Sequence, residues 1–172
     1  ASTAMGRETT ASGLFSTAMG DGTTASGDGT TAMGNGTTAS GLLSTAMGYD
    51  TTASGASSTA MGESTTASDF GSTVIGLFNN SLSSVTTNGS AASYDADNTA
   101  FVIGNGASAG SPSDAFKVMF NGDAYVSSSL YLGDTKITST ADELNLLDGV
   151  TSLASGILSS VTENDKTGVR LS

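Results

Sequence analysis

Residues 16–27 read Ser-Thr-Ala-Met-Gly-Asp-Gly-Thr-Thr-Ala-Ser-Gly, and this pattern recurs every fourteen residues between residues 2 and 76. Each repeat divides into two halves of seven residues with the form Ser/Thr-Thr-Ala-Xaa-Gly-Xaa-Xaa. One column of the repeat is invariably glycine, at Gly6, Gly20, Gly34, Gly48, Gly62 and Gly76. The spacing holds without an insertion or deletion, which indicates that one structural unit is repeated along the chain.

The composition of the halves excludes the helical structures that a seven-residue period could otherwise indicate. Glycine costs about 1 kcal/mol relative to alanine in a helix, and adjacent β-branched threonines lower helix propensity further. Collagen is excluded because it requires glycine at every third residue. We therefore predict an all-β solenoid, with two five-residue strands per fourteen-residue coil. Two-residue turns such as Asp21-Gly22 and Asn35-Gly36 join the strands, since these dipeptides adopt left-handed conformations readily.

Small residues dominate the chain, and large apolar residues are scarce. Gly, Ala, Ser and Thr number 23, 22, 29 and 26 of the 172 residues, while Leu, Ile, Val and Phe together number 31. The formal net charge is −11. These values exclude a self-sufficient monomeric globule, because such a fold needs a core of large apolar side chains.

Alternation along each strand assigns the small residues to one face and the larger ones to the other. Ser16, Ala18 and Gly20 point to one side, whereas Thr17 and Met19 point to the opposite side. We predict that the small residues form the interior of a thin roll. Its alanines are Ala4, Ala11, Ala18, Ala25, Ala32, Ala39, Ala46, Ala53, Ala60 and Ala67.

The methionine column is predicted to pack between subunits. It comprises Met5, Met19, Met33, Met47, Met61 and, in the last repeat, Ile75. A monomer would leave this apolar stripe in water, and a single thin roll buries too little surface to offset its conformational entropy. Both problems are solved if several chains bring these strands to a common axis. Packing is preferred here to a metal or redox role, because methionine fills irregular apolar space well.

The sequence Ser-Thr-Ala-Met-Gly-Xaa-Xaa-Thr-Thr-Ala-Ser-Gly resembles the head repeat of YadA-like trimeric autotransporter adhesins, the Hep/Hag-type repeat, which also occurs in tail-fibre-like proteins. The resemblance covers residues 2 to about 80. It implies a left-handed parallel β-roll that assembles as a homotrimer with its apolar strand face toward the threefold axis. Methionine with threonine replaces the larger branched pairs common in the family, which implies looser axial packing. Val74 and Ile75 restore a bulky pair in the last coil.

Three segments are predicted: YadA-like roll repeats over residues 1–80, a β-rich connector over 81–134, and a short helix with a stem segment over 135–172. In the connector, Phe101-Val102-Ile103-Gly104 predicts one further coil. Alternating apolar residues before Asn121-Gly122 predict a hairpin whose second strand runs from Ala124 to Leu132. The run 114–123 resembles the segment that follows such repeats in fibre proteins ending in an endosialidase-type chaperone.

The last segment carries helix signals. Thr140 and Glu143 form a capping box and Gly149 is a C-terminal cap, which together predict one short helix. Residues 135–150 resemble a motif of tail fibres of aquatic phages. Leu153, Ile157 and Val161 follow at four-residue spacing and predict a three-chain helical bundle.

These features favour a structural or adhesive segment of an extracellular fibre, at a cell surface or on a virion, that attaches or acts as a spacer. The possible contact surface for a host glycan or protein comprises Thr10, Thr24, Thr38, Thr52, Thr66 and Tyr49. The alternative is an ice-binding solenoid that presents rows of threonine and serine hydroxyls. Thermal hysteresis of the purified protein would distinguish the two.

Other functions are disfavoured by composition. The chain has no histidine or cysteine, and its carboxylates do not recur as pairs, so we expect no enzyme, metal site or cofactor. No lysine or arginine occurs between Arg7 and Lys117, which argues against nucleic acid as a partner. No apolar stretch approaches the roughly 18 residues of a membrane span.

Overall fold

The computed structural model describes residues 1–80 and 89–140, and this part of the chain consists of β-strands and connecting turns without a helix. It contains two compact units, one of residues Ala1–Ser129 and one that begins at Leu130. The predicted all-β class is confirmed for these residues. The predicted helix and helical bundle fall on residues 141–172, which lie outside the described residues.

The first unit opens with a parallel solenoid in which long and short strands alternate. The long strands are β1 (Thr3–Arg7), β3 (Thr17–Asp21), β5 (Thr31–Asn35), β7 (Thr45–Tyr49), β9 (Thr59–Glu63) and β11 (Thr73–Leu77). The short strands are β2 (Thr10–Ala11), β4 (Thr24–Ala25), β6 (Thr38–Ala39), β8 (Thr52–Ala53) and β10 (Thr66–Ala67). The predicted fourteen-residue coil is therefore confirmed.

The second strand of each coil is shorter than predicted, with two residues instead of five. In the second coil the N–H groups of Ser26 and Gly27 both donate to the carbonyl oxygen of Ala39, at 2.9 and 3.4 Å. Because two successive donors share one acceptor, the regular ladder ends after Ala25.

Equivalent residues of successive coils stack on one another, so that Thr17 pairs with Thr31 and Met19 with Met33. The turns also form ladders. The N–H of Gly36 donates to the carbonyl of Asp21 one coil back, at 2.9 Å, and the N–H of Ser57 donates to the carbonyl of Leu42, at 2.7 Å. Seven of the second turn residues are not glycine, yet all have positive φ: Glu8, Phe15, Leu43, Asp50, Ser57, Ser64 and Phe78.

Removing the backbone strain at one of these left-handed residues is expected to stabilise the solenoid. Ser64 has φ = 51°, a conformation that costs a residue with a side chain about 1–2 kcal/mol. We expect Ser64→Gly to raise the free energy of unfolding by about 1 kcal/mol, measured by guanidinium unfolding followed by circular dichroism. Ser64→Ala is the control, since it removes the hydroxyl and keeps the strain. An equal gain from alanine would contradict this origin.

The interior of the roll contains alanines and hydroxyl-bearing residues. No accessible surface remains on Ala18, Ala25, Ala32, Ala39, Ala46, Ala53, Ala60 and Ala67. In the first coil, Ala4 is exposed and Ala11 is half-buried. Val74 and Val102 extend the alanine columns with larger side chains and are also fully buried. The enclosed space therefore widens only at this end of the solenoid.

After the last coil the long-strand sheet continues through three more strands, namely β12 (Thr99–Asn105), β13 (Asp114–Met119) and β14 (Ala124–Val126). Strand β12 pairs in parallel with β11 and places Ile103 beside Ile75, as the repeat of the Ile-Gly pattern predicts. Strand β13 lies between β12 and β14 and is antiparallel to both, and β13 with β14 forms the predicted hairpin.

The second hairpin strand does not extend to Leu132 as predicted. Strand β14 ends at Val126, and the N–H of Ser127 makes the last bond, 3.2 Å from the carbonyl of Ala115. Pairing stops there because β13 begins at Asp114 and offers no further residues. In the second unit, β15 (Tyr131–Leu132) and β16 (Thr135–Lys136) form a separate small hairpin, so the predicted stem segment starts in a strand.

Candidate functional surface

An apolar stripe crosses the outer face of the nine-stranded sheet. The stripe, called the Met stripe here, consists of directly paired residues in the order Met5, Met19, Met33, Met47, Met61, Ile75, Ile103, Phe116 and Val126. Paired residues of neighbouring strands share a face of the sheet. Met5 is 56% exposed and Val126 is 45% exposed, and the residues between them are half-buried.

The sequence predicted this stripe only as far as Ile75. Its continuation through Phe116 and Val126 depends on the antiparallel register of β13 and β14, which the fourteen-residue period does not encode. A second row runs beside the stripe, where half-buried Thr17, Thr31, Thr45, Thr59 and Thr73 lead to Phe101 and Val118. The outer face is therefore uncharged along both rows and becomes more apolar toward β14.

The opposite face of the solenoid presents the threonine row of the short strands. Thr10 is exposed, while Thr24, Thr38, Thr52 and Thr66 are half-buried and stack in one register. Ser12, Ser26, Ser40 and Ser54 are exposed beside them. Tyr49, which the sequence grouped with these threonines, is 57% exposed and ends β7 at the adjoining line of turns.

Two side-chain amides replace backbone partners at the end of the solenoid. Oδ1 of Asn79 accepts from the Thr66 N–H at 2.7 Å, and its Nδ2 donates to the Thr66 carbonyl at 3.1 Å. Asn98 makes the same pair with Ser90, at 2.6 and 2.8 Å. Asn79 thus satisfies the edge of β10 as a further peptide group would, and Asn98 does the same for the backbone of Ser90 in a loop. These roles could not be predicted from the sequence, because asparagine in a loop also indicates an ordinary turn.

Asp69 stands where earlier repeats have Gly13, Gly27, Gly41 and Gly55. A Cβ on Gly55 would come 2.1 Å from the carbonyl oxygen of Asp69, so the backbone of the next coil leaves no room for a side chain at the earlier positions of this column. The side chain of Asp69 instead reaches the start of β12, where Oδ2 accepts from the N–H and the Oγ1 of Thr99, both at 2.7 Å. The carboxyl is almost fully buried and ties the last complete coil to the added strands.

The stability of this junction is expected to depend on pH. Burial raises the pKa of Asp69 above its ordinary value, although the hydrogen bonds from Thr99 act in the opposite direction. Because the folded-state pKa is raised, the contribution of the carboxyl to stability is greatest when protonated and is lost as the pH rises through that pKa. We expect the melting temperature of Asp69→Asn to exceed that of wild type most at neutral pH. The difference should shrink as the pH falls toward the ordinary aspartate pKa of 3.8.

Thermal melts of both proteins across this range provide the measurement. The comparison uses the difference between the two proteins, since acidification also relieves general repulsion in a chain of net charge −11. A difference that is constant with pH would show that Asp69 does not titrate in this range.

The described residues offer little else that resembles a catalytic or metal centre. In residues 1–80 and 89–140, no three His, Cys, Asp or Glu side chains lie close enough together to hold a metal ion. A shallow cleft of about 350 Å³ beside β13 is lined by Asp114, Lys117 and Tyr125, among others. The Lys117 ammonium lies 4.9 Å from the centre of the Tyr125 ring. The described part of the chain has no helix long and apolar enough to cross a membrane.

The fold and the Met stripe together define a class of protein, a parallel β-solenoid of fourteen-residue coils with a small-residue interior and one uncharged outer face. The family model for the YadA head domain repeat matches residues 1–23, 11–37, 25–51, 39–63 and 53–79. Residues 1–79 are thus YadA head domain repeats, and the resemblance found in the sequence is confirmed. Head repeats of this family build trimeric, adhesin-like structural fibres. No curated protein sequence matches the chain.

Proposed function

We propose that this protein is a segment of an extracellular homotrimeric fibre that attaches to a surface or spaces an attachment site from its anchor. The observation that carries the proposal is the Met stripe, which is apolar and continuous across all nine strands of the sheet. The fully buried aliphatic side chains of the described solenoid are alanines and two valines, so apolar side chains larger than valine, including those of the stripe, lie outside the roll interior. Burying them between chains supplies the apolar contact that the roll interior lacks.

In the proposed trimer, Met5, Met19, Met33, Met47, Met61 and Ile75 of each chain line the threefold axis. Ile103, Phe116 and Val126 extend the same contact beyond the repeats. The family match to YadA head repeats supports a closed threefold arrangement. The role is structural and adhesive, and it needs no cofactor. The partner is first of all another copy of this chain.

The mass of the native full chain in solution tests this proposal. Native mass spectrometry or sedimentation equilibrium is expected to give three times the mass of one chain over the micromolar range. A monomer that retains the β circular dichroism spectrum would overturn the proposal, because the Met stripe would then be stable in water.

Attachment is proposed to use the face opposite the stripe, where Thr10, Thr24, Thr38, Thr52 and Thr66 run in register. This face would stay accessible in the trimer, and a host glycan or protein is the partner its hydroxyls suit. Binding of the trimer to immobilised glycans and to extracellular proteins tests this, with Thr38→Ala and Thr52→Ala expected to weaken it.

The regular stacking of these threonines also favours a second candidate, ice binding. Equivalent hydroxyls recur once per coil, at about 4.8 Å along the solenoid axis. Thermal hysteresis of the trimer, compared with an inert protein at equal concentration, decides between the candidates. Hysteresis no greater than that of the inert protein would eliminate ice binding.

A further inference from the structure

The two lines of turns that flank the solenoid differ in chemistry. Edge 1 contains the turns after the long strands β1, β3, β5, β7 and β9, at 7–8, 21–22, 35–36, 49–50 and 63–64. Edge 2 contains the turns before β3, β5, β7, β9 and β11, at 14–15, 28–29, 42–43, 56–57 and 70–71. Edge 1 carries the charged residues Arg7, Glu8, Asp21, Asp50 and Glu63. Edge 2 carries Leu14, Phe15, Leu42 and Leu43, which are 63%, 76%, 54% and 61% exposed.

These exposed side chains occupy backbone positions that disfavour them. Phe15 and Leu43 have φ of 59° and 57°, while the same position holds glycine at Gly29 and Gly71 with φ of 67°. A bulky residue in this conformation costs about 1–2 kcal/mol, and within the chain its exposed side chain recovers little of that. Backbone strain of this kind is found where a side chain serves a contact or a site. Leu14-Phe15 and Leu42-Leu43 are thus placed for a contact outside their own chain.

At the other two turns of edge 2, 56–57 and 70–71, the first residue already binds a later segment of the same chain. The N–H of Ala56 donates to the carbonyl of Ala91 at 2.8 Å, and the N–H of Phe70 donates to the carbonyl of Ser90 at 2.9 Å. The open part therefore runs from Leu14 to Leu43. Its one charged group, Asp28, has Oδ1 engaged by the N–H of Leu14 at 2.8 Å.

We propose that the open part of edge 2 is the lateral contact between subunits, and that it is occupied by edge 1 of the next copy of this chain. The inference rests on the proposed trimer, and it specifies which surfaces meet around the axis. In a closed ring each subunit presents one edge to one neighbour and the other edge to the next, so unlike edges meet.

Charge and shape both favour unlike edges over like ones. Two copies of edge 1 face to face would bring Asp50 and Glu63 together with their counterparts, because Arg7, the one cation of this edge, is already paired with Asp21 at 2.6 Å. Edge 1 also has two successive turns whose second residue is glycine, Gly22 and Gly36. Because glycine has no side chain, these turns leave a shallow depression, and the leucine and phenylalanine side chains of the neighbour can pack into it.

Disulfide trapping tests the contact, because the chain has no cysteine of its own. Leu42→Cys is combined in turn with Asp21→Cys, Asn35→Cys or Tyr49→Cys, which samples three successive levels of edge 1. The long strand separates the two edges by about 15–20 Å, whereas a disulfide needs Cα atoms within about 7 Å, so any bond must join two chains. Each variant of the full chain is oxidised mildly and run on a denaturing, non-reducing gel.

At least one pair is expected to give a covalent trimer in high yield, while the single variants stay monomeric on the gel. Asn35→Cys with Ser54→Cys is the matched control, since Ser54 is exposed on the short-strand face. Covalent dimers from Leu42→Cys alone would show that like edges meet and would overturn the proposal. A native trimer without a covalent trimer from any of the three pairs would also overturn it, while leaving the proposed function intact. A native monomer would overturn both the edge contact and the proposed trimeric fibre.

Discussion

Gly48→Ala is expected to destabilise the solenoid by several kcal/mol, more than a methyl group added at a turn glycine such as Gly36. Gly48 ends the regular part of β7 with φ = 127°, a conformation that is nearly restricted to glycine. An added Cβ would lie 2.0 Å from the carbonyl oxygen of Gly62 in the next coil. Since that oxygen belongs to the backbone ladder, the two coils must separate to admit the methyl group.

Gly36→Ala is the matched control for this effect. Gly36 also has positive φ, 65°, but the nearest atom to an added Cβ is the Cα of Asp50, at 3.7 Å. It should therefore lose only about 1 kcal/mol, which is the cost of the left-handed conformation. Guanidinium unfolding of both variants, followed by circular dichroism, provides the comparison. Similar losses in the two variants would contradict the tight stacking at Gly48.

The sequence was sufficient to predict the solenoid because the residue type in each column of the repeat is set by one steric requirement. Glycine occurs where the next coil leaves no room for Cβ, alanine where the interior is thinnest, and methionine on the open face. The fourteen-residue period thus encodes coil length, register and face together. The length of the second strand was not encoded, because Ser26 and Gly27 share an acceptor through local backbone geometry that any small residues could adopt.

The connector was less predictable because its contacts are between residues far apart in the chain. Asp69 accepts from Thr99 across thirty residues, and the N–H of Asn80 donates to Oδ1 of Asp114 across thirty-four. Neither pair has a periodic counterpart that would mark it in the sequence. The Met stripe, by contrast, was predictable within the repeat because its residues recur with the period. Its extension to Phe116 and Val126 depends on the register of an antiparallel hairpin, which has no such period.

Met33→Asp is expected to dissociate the proposed trimer into folded monomers. Met33 lies midway along the methionines of the stripe, and in the trimer three copies would surround the axis at one level. The substitution would bury three like charges together without partners, at a cost of several kcal/mol for each. Since 1.4 kcal/mol changes an equilibrium constant tenfold, the dissociation constant should rise by at least about a thousandfold.

Ser40→Asp separates this effect from that of charge alone. It adds the same carboxylate directly after β6, on the exposed short-strand face, where the charge stays hydrated. Sedimentation equilibrium should show a trimer for Ser40→Asp and for the apolar replacement Met33→Leu, and a monomer for Met33→Asp. Salt at about 0.5 M should not restore the Met33→Asp trimer, because screening acts on exposed charges far more than on buried ones. If Met33→Asp and Ser40→Asp assemble equally well, the stripe does not face the axis, because a carboxylate at Met33 would then remain in water.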